Sequence, residues 1–407
     1  MANKFKPISI SLSPNVQKDD VVLALKLLFQ PWKWKRGSAI KKFEEEFKKY
    51  LGVKYAFSFN SGRSSLFAIL KALNLPEKSD VLLQAFTCNA VPNPVLWAGL
   101  HPVYIDCADD FNSEVESYKV QSYKAAIVQH TFGLPADMET IMRHKKGIII
   151  EDCAHALGAE INGKKVGTFG DAAFFSFARD KVISCVYGGM AVTNNDEIGQ
   201  KLEQLQKEFG QPSLVWIFQQ LLHPILLHYI ILPLYDFLDL GKLFLIGSQW
   251  FHVLSKAVSW QEKRGLKPNY FPKALPNALA AMALNQFNKL EMFNAHRQKI
   301  TNFYFEQLKN TQFILPSNDG TFLRFAVRHP KAHEVIYEAW HKENMLLGDW
   351  YTSVVAPIDT QLDNIAYISG SCPNAENLAQ KTLNLPTHVN ISPEDAQRIV
   401  TFLKQWN

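Results

Sequence analysis

Lys181 stands four residues after Phe177, beyond the apolar run that opens AAFFSFARDKVISCVYGG. A lone lysine in such a loop is usually a solvated charge. In a desolvated site its amine becomes a nucleophile, because burial lowers its pKa. Upstream, the run GIIIED ends in Glu151-Asp152, and His155 follows three residues later. Carboxylates at the end of a buried strand are costly without a partner. The pair therefore reads either as a helix cap beside a core histidine or as an acid facing a cationic ring nitrogen. A third stretch, FSFNSGRSSLFAIL, ends a β-like run at Asn60 and turns through Ser61-Gly62-Arg63 into an apolar helix. The first turn of a helix has unpaired N–H groups that attract anions. Arg63, Ser64 and Ser65 add guanidinium and hydroxyl donors there, beside Gly62, although ordinary capping uses Ser and Gly as well.

Together the three stretches fit one cofactor. Pyridoxal phosphate needs a lysine for its Schiff base and a carboxylate for its pyridinium nitrogen. Its phosphate needs a cradle. Lys181, Asp152 and the turn at 62–65 supply all three.

Elements that can hold these groups in place are legible around them. GSAIKKFEEEFKKYLG carries Ile40, Phe43, Phe47 and Leu51 at helical spacing, with Gly52 past its end. Beyond it, short apolar runs (YAFSF, VLLQ, PVYID, AAIVQH, GIIIED, AAFFSF, GMAVTN) alternate with helical segments. Several runs lack polar alternation, as strands covered on both faces do. This predicts an α/β layered domain on a mostly parallel sheet, with ligands at the strand ends. Residues 277–308 read as one long amphipathic helix, and SPEDAQRIVTFLKQW as a last helix with Ser392 as N-cap and Pro393 first inside. The expected organisation is a large domain over 1–270 and a smaller C-terminal α+β domain over 271–407.

Composition removes other classes. The chain has 407 residues, 47% of them hydrophobic, and a net charge of +5. No basic stripe or nucleic-acid module is present. The five cysteines form no C-x-x-C pair, which argues against a zinc site or a disulfide framework and for the cytoplasm. The start, MANKFKPISISLS, has no apolar core of a secretory signal. One segment stands apart: between Glu208 and Asp236 there is no charged residue, within an apolar insert at about 209–250. It is long enough to cross a membrane, but Pro224, Pro233, His223 and His228 interrupt it. Kinked helices lying on a membrane surface, with Lys207 and Lys242 toward the head groups, or buried in an oligomer contact, are the better readings.

From about residue 34 onward, apart from the insert, the chain resembles the sugar aminotransferases of the DegT/DnrJ/EryC1/StrS family, which are fold-type-I pyridoxal-phosphate enzymes. The resemblance is carried by EDCAHALGAEINGKKVGTFGDAAFFSFARDK, VQHTFGLPADME and LHPVYIDCADDFN. It implies that Lys181 forms the Schiff base, Asp152 pairs with the ring nitrogen, Ser176 binds phosphate and His155 lies beside cofactor and substrate. It also implies a homodimer, an amino-acid donor such as L-glutamate and a keto-sugar acceptor, typically nucleotide-linked. Sugar dehydratases of this family carry histidine in place of the lysine, so Lys181 argues against that activity. A lipid-linked or non-sugar keto substrate taken at the membrane, and a non-catalytic regulator or scaffold, are the alternatives. Three departures bear on the site. Arg63 stands where the family has Thr in its phosphate turn. Cys88 stands where the family stacks an aromatic ring on the cofactor, which leaves Phe86 as the candidate for stacking. The family's phosphate-binding Asn from the partner subunit has only Asn269 as a counterpart.

Overall fold

The computed structural model describes residues 7–407. All seven apolar runs become strands of one sheet: β1 (Tyr55–Phe59), β2 (Asp80–Gln84), β3 (His101–Ile105), β4 (Ala125–Gln129), β5 (Ile148–Asp152), β6 (Ala172–Ser176) and β7 (Gly189–Thr193). Their spatial order is β1-β7-β6-β5-β4-β2-β3. β7 runs antiparallel to both of its neighbours, and the pairings β6-β5, β5-β4, β4-β2 and β2-β3 are parallel. Every residue of β4 and β7 is buried, which is why these runs carry no polar alternation.

Helices cover both faces. After α1 (Lys18–Leu28) comes α2 (Ala39–Leu51), which turns Phe43 and Phe47 inward and ends on Gly52 in the left-handed region (φ 72°). Phe43 and Phe47 meet Phe175 or Phe177 edge-on at 5.0 to 5.7 Å, an arrangement that aromatic quadrupoles favour. That packing fixes the end of β6, from which the lysine loop departs. α3 (Gly62–Ala72) starts two residues earlier than its apolar pattern suggested, because Ser61 caps it by accepting the N–H of Ser64.

Further along the chain come the insert helices α4 (Leu214–Leu226) and α5 (Leu240–Trp250). The helix expected over 277–308 is two helices, α6 (Asn277–Phe287) and α7 (Leu290–Leu308), separated at Asn288-Lys289. α6 packs on α2, and the first core takes in Leu290 and Phe293 at the start of α7. A second core begins with Ile300, Tyr304 and Leu308 and continues through the antiparallel pair β8 (Arg324–Arg328) and β9 (Thr382–Pro386). α7 thus contributes to both cores, its first turn to one and its last two turns to the other. α8 (Pro393–Leu403) closes the second core, capped by the Ser392 hydroxyl as its sequence suggested.

The insert is not a free span. Leu214–Ile231 forms a continuous helical stretch of 18 residues, apolar enough to cross a membrane. Yet Trp216, Ile217 and Leu221 belong to the first core, and α4 packs on α1. A crossing would have to strip that face from the domain.

Candidate active site

The ends of β4, β5 and β6, the start of α3 and a loop of the C-terminal half enclose a cavity of about 280 Å³. Lys181, Asp152, His155 and Ser176 all line it, as do Gly62, Arg63 and Cys88.

β5 separates its two carboxylates because neighbouring strand residues point to opposite faces. Glu151 faces away from the cavity. Its oxygens accept the backbone N–H groups of Gly167, Phe169 and Gly170 at 2.6 to 2.7 Å, and His130 Nε2 lies at 3.2 Å. Glu151 is therefore the anchor of the GTFGD turn. Asp152 faces the cavity and accepts one N–H, from Ala154 at 2.9 Å. Burial pushes its pKa up to about 6, offset in part by that N–H and by Lys181. A buried carboxylate so lightly satisfied is suited to a cationic partner.

Lys181 is partly buried, and its pKa is lowered, chiefly by desolvation. Its loop is pinned from behind. Asn15 Nδ2 donates to the carbonyls of Lys181 and Val182, and Arg297 Nη2 donates to Val182 O at 2.8 Å. His155 accepts the N–H of Phe132 on Nδ1 at 3.2 Å, so the ring hydrogen sits on Nε2. Burial, with Lys181 and Arg324 nearby, holds its pKa well below the usual histidine value, and the ring is neutral.

The cradle is narrower than its sequence suggested. A Cβ on Gly62 would come within 2.9 Å of Ser176 Cβ and 3.2 Å of its Oγ, so only glycine lets the helix start meet that hydroxyl. Ser61 joins the wall. Ser64 does not: its hydroxyl donates to Asn60 Oδ1 at 2.7 Å and its N–H to Ser61 Oγ. The Ser65 hydroxyl is likewise spent on Ser61 O. The Arg63 guanidinium is bonded to Glu262, donates to Ala257 O at 3.1 Å and lies over the Phe271 ring. Its charge is already neutralised by a carboxylate, so the expected phosphate role of its side chain is not what the geometry provides.

One further expectation changes, and a second is left to the partner subunit. Phe86 does not reach the cavity. It is wholly buried in the second core against Phe111, Phe132 and Tyr351. Asn269 is exposed and lies outside the cavity of its own chain. Conversely Tyr187, Asp180, Gln129 and the loop residues Asp349, Trp350 and Tyr351 line the cavity without having been read from the sequence. Gln129 ends an apolar run and was a findable signal. The loop residues lie about 170 positions from Lys181 and carry no local one.

A profile of the DegT/DnrJ/EryC1/StrS aminotransferase family matches residues 16–214 and 257–404. The chain belongs to this family. The unmatched stretch between those limits is the apolar insert. A UDP-N-acetyl-3-dehydro-alpha-D-glucosamine 3-aminotransferase from Acidithiobacillus ferrooxidans is 26% identical over 95% of this chain and 94% of its own. A GDP-perosamine synthase from Caulobacter vibrioides is 24% identical over 97% and 96%. Among solved structures, the Helicobacter pylori aminotransferase PseC, involved in the biosynthesis of pseudoaminic acid, superposes with a TM-score of 0.75 at 22% identity, covering 98% of this chain and 99% of that one. The residues present fit pyridoxal phosphate, the cofactor of this family: a lysine amine, a buried acid and a glycine–serine anion cradle border one cavity.

Proposed function

We propose that this aminotransferase moves an amino group from an amino acid such as L-glutamate to the carbonyl carbon of a nucleotide-linked keto sugar, for polysaccharide or secondary-metabolite sugar synthesis. The observation that carries this reading is the placement of Lys181, Asp152 and the Gly62–Ser176 cradle around one cavity. The relatives' sugar substrates support the acceptor class.

Pyridoxal phosphate, when bound, supplies the electron sink for the carbanion formed at the donor's α-carbon. Lys181 holds the cofactor through Nζ. Its amine, which burial keeps readily deprotonated, would take the proton from the donor's α-carbon and deliver protons on the acceptor side. Asp152, ionised, would hold a proton on the ring nitrogen. His155, neutral, offers its Nε2–H as a donor inside the cavity. Ser176, Ser61 and the first N–H groups of α3 hold the phosphate, and the loop at 349–358 keeps water out. A keto-sugar screen coupled to glutamate turnover tests this reading. Turnover of no keto sugar, with a bound cofactor, would overturn the acceptor class.

The working unit in this reading is a homodimer, in which Asn269 reaches the partner's phosphate site. Mixing Lys181→Ala and Asn269→Ala proteins would then restore part of the activity each lacks alone. Persistent inactivity of the mixture, with dimers present, would remove Asn269 from that role.

The insert supports a finer location, the inner face of a membrane. α5 is turned inside out: Gly241 and Ser248 are its buried residues, whereas Leu243, Ile246 and Trp250 are exposed, followed by exposed Phe251. An apolar outer face suits an apolar medium. Lys242 is paired with Asp236 and Asp239, and Lys207 with Glu203, so neither is the free head-group contact it was expected to be. Lys256 and Arg264, just beyond the insert in sequence, are exposed cations. Flotation with vesicles containing anionic lipid should carry the intact protein upward. Protein that stays at the bottom, with an oligomer that falls apart when the insert is deleted, would assign the face to self-association.

A further inference from the structure

Phe86 is buried elsewhere and Cys88 has no ring, so the cavity must offer another surface to a flat guest. Four aromatic residues line it: Phe174, Tyr187, Trp350 and Tyr351. Tyr187 is engaged at the cradle end, where Arg63 and Arg179 lie over its ring. Tyr351 packs on Phe86 and Phe132 at 5.2 and 5.7 Å. Phe174 is a buried residue of the sheet core. Trp350 alone lies against the amine, with Lys181 Nζ 4.4 Å from its ring centre. The His155 ring stacks on it at 5.2 Å and 21°.

The indole is also held in place. The Arg324 guanidinium lies 3.4 Å from its ring centre, almost wholly buried, with Nη2 3.2 Å from Asp180. The backbone N–H of Trp350 donates to Asn384 Oδ1 at 3.2 Å. A side chain fixed by a stacked cation, a neighbouring ring and a backbone hydrogen bond is preorganised.

We propose that Trp350 is the aromatic face against which the cofactor's pyridine ring packs, in the role that Cys88 leaves open. The inference rests on the reading of this cavity as a pyridoxal-phosphate site. A ring joined to Lys181 and paired with Asp152 lies within reach of the indole. A protonated pyridine is electron-poor and indole is electron-rich, so the contact gains from electrostatics as well as from buried area.

The test is cofactor binding by the intact protein, with Trp350→Phe and Trp350→Leu. Both fill volume, but only Phe keeps a π-face. Pyridoxal phosphate is titrated into apoprotein and followed by the visible band of the lysine-bound form. Quenching of indole emission is followed in parallel, and melting without cofactor shows that each variant is folded. Trp350→Leu should bind roughly tenfold more weakly and Trp350→Phe close to the parent. Both should lose a share of the cofactor-dependent quenching. Leu binding as tightly as Phe, or quenching unchanged in both, would overturn the assignment. A parent protein with no visible band, or a band that survives Lys181→Ala, would instead bring down the site reading itself.

Discussion

Arg63 and Glu262 are bonded to each other, 199 positions apart, and both side chains are buried. The pair ties the start of α3 to the segment on which the chain returns from its insert. Glu262 also has its backbone carbonyl bound by Asn93 Nδ2 at 2.8 Å, and Ala257 in the same segment forms part of the cavity wall. The arginine that replaces the family's Thr is thus a strut between the cradle and the insert's exit.

Arg63→Thr should therefore strand a buried carboxylate and cost about 3 to 5 kcal/mol of stability. Arg63→Thr with Glu262→Gln should recover most of that loss. Thermal melting of the apoproteins checks both. An Arg63→Thr protein as stable as the parent would mean that Glu262 finds another partner.

Asp152→Asn should raise the apoprotein's stability while removing most of its activity. The folded pKa of about 6 lies above the usual carboxylate value, so the folded state binds more protons than the unfolded one between about pH 4 and 6. The contribution of Asp152 is therefore most favourable below about pH 4, falls as pH rises through that window and stays low above it. The loss is at most about 3 kcal/mol. Asn removes it, so the two melting curves should converge at low pH and separate above pH 6. Equal pH dependence in both proteins would contradict this.

Glu151→Gln is the contrasting neighbour. An amide cannot accept three backbone N–H groups as a carboxylate does, so the GTFGD turn should loosen at a cost on the order of 3 kcal/mol. Below its melting temperature the variant should still bind pyridoxal phosphate. Wild-type stability in this variant would show that the turn holds without the charge.

Lys181→Ala should abolish both the visible band of the bound cofactor and turnover, with melting little changed, because the loop is held through backbone carbonyls rather than through the amine. An unaltered band would sink the assignment.

The sheet was legible because each strand is an unbroken apolar run, and the site because Asp152, His155, Ser176 and Lys181 cluster at or just beyond two of those strand ends. What escaped the sequence follows from chain geometry. Ser64 and Arg63 are donors by type, but whether a donor faces the cavity depends on who else needs it: Asn60 took one and Glu262 the other. Phe86 looked available for stacking, yet Phe111, Phe132 and, from the C-terminal half, Tyr351 enclose it in the second core. Trp350 and Tyr351 reach the cavity only because the C-terminal half folds back over it, and no local pattern announces that.

The loop that carries Trp350 is joined to the segment after β2 by a two-residue parallel ladder, Thr87–Cys88 with Val355–Ala356. Its amide contacts are Thr87 N–H to Val354 O at 3.2 Å and Asn89 N–H to Ala356 O at 2.8 Å. A rotation that lifts this loop clear of the cavity must sever them. Hydrogen–deuterium exchange at Thr87 and Asn89 should therefore report any such opening, because these two amides exchange only when the ladder is broken.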